Sequence, residues 1–162
     1  MKCLNCGHKM KASVGPYKYS ECGLDGVTLV DVDVRQCSAC GETEVSIPRI
    51  EELHKTIALI IARKDSRLSP KEIRFLRTYL GYSSVDFANR IGVSAEQVSR
   101  WENGKNSMQK PTELLVRLLV LSEKPLDSYS FVELGEASPK KLPMRLERAG
   151  KGWHSDLIAE TA

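Results

Sequence analysis

Two Cys-x-x-Cys pairs, Cys3-Leu4-Asn5-Cys6 and Cys37-Ser38-Ala39-Cys40, constrain the fold of this 162-residue chain more than any other feature. Each pair sets two thiols on one tight loop. A glycine follows each pair, Gly7 and Gly41, where the backbone must fold around the sulfurs. Two such loops offer four thiolates, the tetrahedral set that zinc prefers. All four positions are then filled by protein, so no open position remains for a catalytic water. The spacing predicts one structural Zn2+ per chain, held by Cys3, Cys6, Cys37 and Cys40. A segment this small needs the folding free energy that zinc binding supplies. Residues 7–36 separate the pairs, a longer gap than in common zinc ribbons, and a β-hairpin accounts for the excess. A redox dithiol is the competing chemistry. It would need one reactive pair beside a β-α-β pattern, and none is evident. Cys22 reads as a small hairpin side chain without a metal role, and His8 as a surface histidine.

Between the pairs, Tyr17–Cys22 and Val27–Arg35 read as strands. Val30, Val32 and Val34 alternate with Asp31, Asp33 and Arg35, the period-2 pattern of a half-buried strand. Gly23-Leu24-Asp25-Gly26 supplies turn chemistry for the hairpin. From Pro48 to about Lys64 the pattern is an amphipathic helix, with Ile50, Leu53, Ile57, Ile60 and Ile61 near one face. Asp65-Ser66-Arg67-Leu68 forms a short polar connector.

Residues 69–122 are helical throughout by pattern. Ser69-Pro70 opens a helix that carries Ile73, Leu76 and Leu80 on one face and stops at Gly81. Ser83 caps a second helix, with Val85, Ala88 and Ile91 facing inward, and Gly92 is placed to end it in the left-handed conformation. Val93 plugs the turn and Ser94 caps a third helix with Val98 and Trp101 inward. Gly104 ends that helix. A fourth starts at Pro111 or Thr112, with Leu114, Leu115, Leu118, Leu119 and Leu121 available for the core. Two short helices joined by Ile91-Gly92-Val93-Ser94 have helix-turn-helix geometry.

The expected fold is therefore α+β. A small four-cysteine zinc module with a β-hairpin and a helix (residues 1–66) precedes an all-α, repressor-like helix-turn-helix domain (67–123). A polar, basic extension follows (124–162). The extension begins at Lys124-Pro125 and carries Lys140, Lys141, Arg145, Arg148 and Lys151. It reads as a partly disordered, solvated tail, with an extra DNA-binding arm as the alternative; Ser128–Leu134 is a candidate strand. The net charge of +3 proves no nucleic-acid partner, but its distribution is uneven. Residues 21–44 carry Glu21, Asp25, Asp31, Asp33, Glu42 and Glu44 against Arg35 alone, whereas 69–122 are net basic. Met1-Lys2-Cys3 leads into no apolar leader segment, and the run Ile57–Ile61 is too short to span a bilayer. The expectation is a soluble cytoplasmic protein without a membrane partner. His8, His54 and His154 are widely scattered and no paired-carboxylate or Ser/His/Asp arrangement occurs, so no enzymatic activity is expected.

Leu76-Arg77, Asp86-Phe87-Ala88, Ile91-Gly92-Val93-Ser94 and the run from Val98 to Lys105 together resemble the Cro/repressor (Xre) family. The resemblance covers about one third of the chain. It implies an ion pair between an arginine of the first helix and a glutamate closing the recognition helix; the matching positions are Arg77 and Glu102. The outer residues of the recognition helix, Ala95, Glu96, Gln97, Ser99 and Arg100, then face the major groove. Arginine suits guanine, glutamine adenine and glutamate cytosine. Glu96 and Arg100 also have the spacing of an intrahelical ion pair, from which Arg100 would be released on DNA to read a guanine. Ser84, Asn103, Lys105 and the Asn106-Ser107 turn are candidates for phosphate, and Ser94 at the helix cap is counted with the DNA-binding residues. The family often has Gln at the position of Ser84, which weakens that one assignment.

The order of modules, with Met1-Lys2-Cys3 at the start and a strand pair between the cysteine loops, resembles the MqsA/YgiT-type antitoxins over about residues 1–122. That resemblance implies a two-handed protein. The zinc module would bind and mask a toxin, often an RNase, while the helix-turn-helix would dimerise on a palindromic operator and repress its own operon. The acidic residues of the zinc module suit a basic, RNA-binding toxin. The alternatives are a zinc-containing helix-turn-helix regulator with no toxin partner, and a redox or metal sensor that uses the cysteines chemically. The fourth helix and the extension are the candidate dimer surfaces.

Overall fold

The structure, a computed structural model, describes residues 1–122, 144–149 and 152–157. The chain divides into two compact units, Met1–Tyr129 and Ser130–Ala162.

The first unit opens with a three-stranded antiparallel sheet: β1 (Met10–Lys18), β2 (Thr28–Cys37) and β3 (Thr43–Ser46), with β2 in the centre. The expected strand pair is thus one strand short and displaced at its start. The first strand ends at Lys18, and Tyr19–Val27, including Cys22, is a loop. β1 escapes periodicity analysis because it is an edge strand whose residues from Lys11 to Val14 are all exposed. Its pairing is set from outside, by the register Met10↔Cys37 to Lys18↔Thr28. That register shifts between Gly15 and Tyr17, at Pro16, which has no N–H to give a ladder. Opposite the shift, Asp31 takes a left-handed φ of 56°. The extra residue reverses the alternation beyond it, so Val32 and Val34 are half-buried but Val30 is 71 % exposed.

Five helices follow: α1 (Ile50–Arg63), α2 (Pro70–Tyr79), α3 (Ser84–Ile91), α4 (Ala95–Glu102) and α5 (Lys110–Ser122). Their starts are chemically marked. Ser69 Oγ accepts the Glu72 N–H while Glu72 Oε2 accepts the Ser69 N–H at 2.6 Å, a reciprocal cap. Ser83 and Ser94 accept the N–H groups of Asp86 and Gln97 at 3.1 and 3.2 Å. Gly92, at φ 72° and ψ 38°, ends α3 in a conformation that costs a β-carbon residue energy and directs the chain into α4.

One apolar cluster joins all five helices and the Tyr19–Val27 loop, whose Leu24 belongs to it together with Ile57, Ile73, Trp101 and Val116. Several apolar residues expected inside lie outside. Ile60 is 65 % exposed and Ile50 is also exposed, because α1 buries the stripe Ile57, Ala58, Ile61 and Ala62. Val85 is exposed, and α3 buries Phe87 with Ala88 instead. On α5 the buried face is Glu113, Val116, Leu119 and Val120, which leaves Leu114, Leu115, Leu118 and Leu121 exposed. Helical periodicity locates faces but does not say which face a neighbour covers.

The connector between α1 and α2 is clasped by α5. The Arg117 guanidinium donates to the carbonyls of Ala62, Lys64 and Ser66 and to Glu113 Oε1 at 2.8 Å. Buried Glu113 also accepts the Leu68 N–H at 3.1 Å and Arg67 Nε at 2.5 Å. Among the described residues no helix is long and apolar enough to cross a membrane.

The second unit contains an antiparallel hairpin, β4 (Met144–Ala149) and β5 (Gly152–Leu157), in register Met144↔Leu157. The tail is therefore regular over these residues, where composition predicts a solvated, partly disordered chain. Alternation in this stretch is masked by charged Arg145, Glu147 and Arg148. Arg145 and Arg148 lie on β4; Ser128–Leu134, Lys140, Lys141 and Lys151 lie outside the described residues.

Candidate metal centre and nucleic-acid interface

The two cysteine loops share one hydrogen-bond pattern. Cys3 N–H donates to His8 O at 2.8 Å and Gly7 N–H returns to Cys3 O at 2.9 Å; Cys37 N–H donates to Glu42 O at 2.8 Å and Gly41 N–H returns to Cys37 O at 3.0 Å. Gly7 and Gly41 have φ of 75° and 77°, which the return bond requires. The first loop leads into β1 and the second follows β2. Because β1 and β2 pair antiparallel, with Met10 opposite Cys37, the loops meet at one end of the sheet.

There the four Sγ atoms lie within 4.8 Å of one another, with Cys3–Cys40 at 3.6 Å and Cys6–Cys37 at 3.4 Å. Tetrahedral ligation at a Zn–S distance of about 2.3 Å requires sulfurs roughly 3.8 Å apart, so the residues present fit a metal ion. The first cysteine of each loop is buried and the second exposed. The thiols differ in acidity. Backbone N–H groups of Cys40 and Ala39 favour the Cys37 thiolate and lower its pKa to about 6. The His8 backbone also favours the Cys6 thiolate, but hydrogen bonding with the neighbouring sulfurs of Cys37 and Cys40 outweighs it and pushes Cys6 to about 12. A cation held by Cys3, Cys6, Cys37 and Cys40 would remove this conflict by favouring the thiolate at all four. His8 is exposed and its Nδ1 lies 3.3 Å from Cys6 O, away from the sulfur set. Cys22 is also apart, with its Sγ against Tyr19 O at 3.3 Å.

The recognition-helix candidate is α4. Val98 and Trp101 anchor it inside, and Glu102, 9 % exposed, fixes its end. Arg77 Nε donates to Glu102 Oε1 at 2.6 Å and Arg77 Nη2 to Oε2 at 3.2 Å, while its Nη1 holds Tyr82 O at 2.8 Å. A second arginine, Arg74, reaches Glu102 Oε2 at 3.2 Å and Asn103 Oδ1 at 3.5 Å. Sequence reasoning missed Arg74; its position one turn before Arg77 on the same helix face was the available signal.

Glu96, Ser99 and Arg100 are exposed on α4, and Ala95 and Gln97 are half-buried. Glu96 and Arg100 form no ion pair among the described residues: the spacing allows one, but both side chains are solvated, where such a pair gains little. Ser94 Oγ is engaged as the helix cap, so its own side chain is committed to Gln97. Ser84 is half-buried in the first turn of α3. Asn103 donates from Nδ2 to Ser99 O at 2.8 Å and Ser99 Oγ at 3.2 Å. Lys105 and the Asn106-Ser107 turn are exposed directly beyond α4. The structure thus gathers Ala95, Glu96, Gln97, Ser99, Arg100, Asn103 and Lys105 on or directly after α4, with Ser94 at its cap. Ser84 belongs to the neighbouring helix α3.

Among curated proteins none matches the chain significantly. Residues 1–129, which contain both the sulfur cluster and the five helices, match the family described as the antitoxin component of the bacterial toxin–antitoxin system, MqsA. The chain belongs to the MqsA antitoxin family.

Proposed function

We propose that this antitoxin binds a duplex operator through α4 as a homodimer and represses its own operon, and that it masks its toxin by direct contact with the zinc module. The observation that carries the DNA reading is α4 itself. Its inner face is locked by Trp101 and by Glu102 between two arginines, while Glu96, Ser99 and Arg100 stand exposed. A rigid helix with polar residues outward is equipped to read base edges, and Lys105 and Asn103 are placed to touch phosphate. Arg100 reads guanine in this scheme, and Ser84, Ser94, Ala95 and Gln97 complete the contact surface.

The exposed leucines of α5 support the dimer. Leu114, Leu118 and Leu121 recur at i, i+4 and i+7 on a face left exposed by the described residues. Pairing through that face would present two α4 helices to half-sites about 34–36 Å apart, a palindromic operator. The four thiolates hold one structural Zn2+, the cation for which an all-cysteine tetrahedral set is most suited. With four protein ligands the ion is closed to substrate, and the protein acts as a binder with no catalysis of its own, in the cytoplasm. Glu21, Asp25, Asp31, Asp33 and Glu42 are exposed on the sheet and its loops, a surface suited to a basic toxin.

Co-expression of the neighbouring reading frame tests the masking role. Growth arrest by that frame alone, relief by this chain, and co-purification of the two are the expected results. A harmless neighbour that does not co-purify would favour a zinc-containing regulator without a toxin.

A further inference from the structure

The Tyr19–Val27 loop stands at the opposite end of β1 and β2 from the cysteines, and it is docked in the helical core. Its neck is closed by the Tyr19 N–H to Val27 O bond at 2.9 Å and its tip by Gly23 N–H to Ser20 O at 2.8 Å. Leu24, 7 % exposed, belongs to the same apolar cluster as Ile57, Ile73 and Trp101. Tyr19 Oη and His54 Nε2 of α1 are 2.8 Å apart, and their rings stack at 5.9 Å. His54 in turn meets Phe75 of α2 edge-on at 5.9 Å. Asp25 and Lys71, in the first turn of α2, form an ion pair at 2.7 Å. One loop of the sheet thus touches both α1 and α2.

We infer that this loop couples the metal site to the stability of the helix-turn-helix, so that metal held by Cys3, Cys6, Cys37 and Cys40 also stabilises the core behind α4. The inference rests on the zinc reading above. The physical chain is short. The sheet's own buried cluster is Cys3, Met10 and Cys37 alone, two of them ligands, so the paired strands depend on the metal for their folded state. Both ends of the loop continue into those strands, while its side chains Tyr19, Leu24 and Asp25 reach the helices. When they fray, the loop loses the register that aims Leu24, and the cluster containing Trp101 is opened at one side. A cysteine site that lies on no DNA-facing residue then controls the helix that carries them.

Trp101 supplies the readout, because it is 1 % exposed inside the cluster. In full-length Trp153→Phe protein it is the only indole, since the chain has two tryptophans. Thermal unfolding followed by Trp101 fluorescence, with zinc content measured in the same samples, needs neither toxin nor operator. Stripping zinc with a chelator should lower the Trp101 midpoint by about 5 °C or more, and adding zinc back should restore it. Leu24→Ala should lower the zinc-loaded midpoint and shrink the chelator-induced shift to less than half. Tyr19→Phe, which keeps the ring and drops the bond to His54, should do the same more weakly, and serves where Leu24→Ala does not fold. A zinc-loaded chain whose Trp101 midpoint ignores the chelator would overturn this inference alone. So would an undiminished shift in the loop variants, and a chain that holds no zinc would overturn the metal reading as well.

Discussion

The sheet and the helical half reach the same problem, charge gathered where a core should be, with opposite solutions. In the sheet four sulfurs lie within 4.8 Å of one another, a set that could hold a cation. In the helical half two buried carboxylates, Glu102 and Glu113, each lie between two arginines of the chain itself. The second arrangement is self-sufficient and sits beside a cluster that includes Trp101, Phe87 and Leu76, all nearly inaccessible. The first has only Met10 beside its two buried cysteines. The difference teaches where each half can obtain its order: the sheet offers a site for an ion, and the helical half closes its own charges over an apolar core.

The strongest way to break that contrast is Cys37→Ser. Structural zinc is worth on the order of 10 kcal/mol in small zinc-dependent folds, so amide protection in β1, β2 and β3 should disappear along with bound zinc. Persistence of that protection in hydrogen exchange would mean that the sheet is stable without its ion. Next comes Glu102→Ala, which strands Arg77 at a site where the side chain is 12 % exposed. Loss of one partner of a buried pair costs roughly 3–5 kcal/mol, measurable in urea unfolding; a cost below about 1 kcal/mol, the range of exposed pairs, would show that the ion pair does not hold α4. Arg100→Ala touches neither support. It should leave the melting temperature in place, weaken specific DNA binding by about 1–3 kcal/mol and relax preference at one base pair. An unaltered specificity profile would remove Arg100 from base reading. The smallest effect belongs to Lys71→Ala, which breaks the exposed pair with Asp25. Exposed pairs contribute at most about 1 kcal/mol, and a larger loss of stability would mean that the loop is held by charge more than by Leu24.

The parts of the molecule that sequence reveals are those set by neighbours along the chain. Ser69, Ser83 and Ser94 mark helix starts because a cap is chosen by the next three residues, and Gly92 marks a turn for the same reason. The cysteine loops are legible because each is a short stretch of local chemistry. Arg77 and Glu102 are reached through family resemblance; helical spacing offers Arg74 beside Arg77 and Glu113 beside Arg117, but the partners that make them a clasp, Glu102 and the connector of residues 62–68, are supplied by distant segments. The same holds for β1, paired by β2, and for Ile60, Val85 and Leu118, whose exposure depends on what the remaining chain covers. Leu24 is the clearest case: Gly23-Leu24-Asp25-Gly26 reads as a hairpin tip, and only the folded helices show that the tip carries a core residue.

The gap of residues 7–36 between the cysteine pairs has a consequence for how the protein tolerates change. Each cysteine loop closes on its own backbone, so ion capture has one long closure left to make. The entropy of that closure grows only with the logarithm of length, about 0.6 kcal/mol for each doubling. Length in the hairpin is therefore a nearly free variable for the metal, while it is a strict one for the reach of Leu24. Insertions and deletions in this segment divide accordingly. Near the strand ends they are absorbed, and at the tip they decide whether the sheet and the helices remain one folded body.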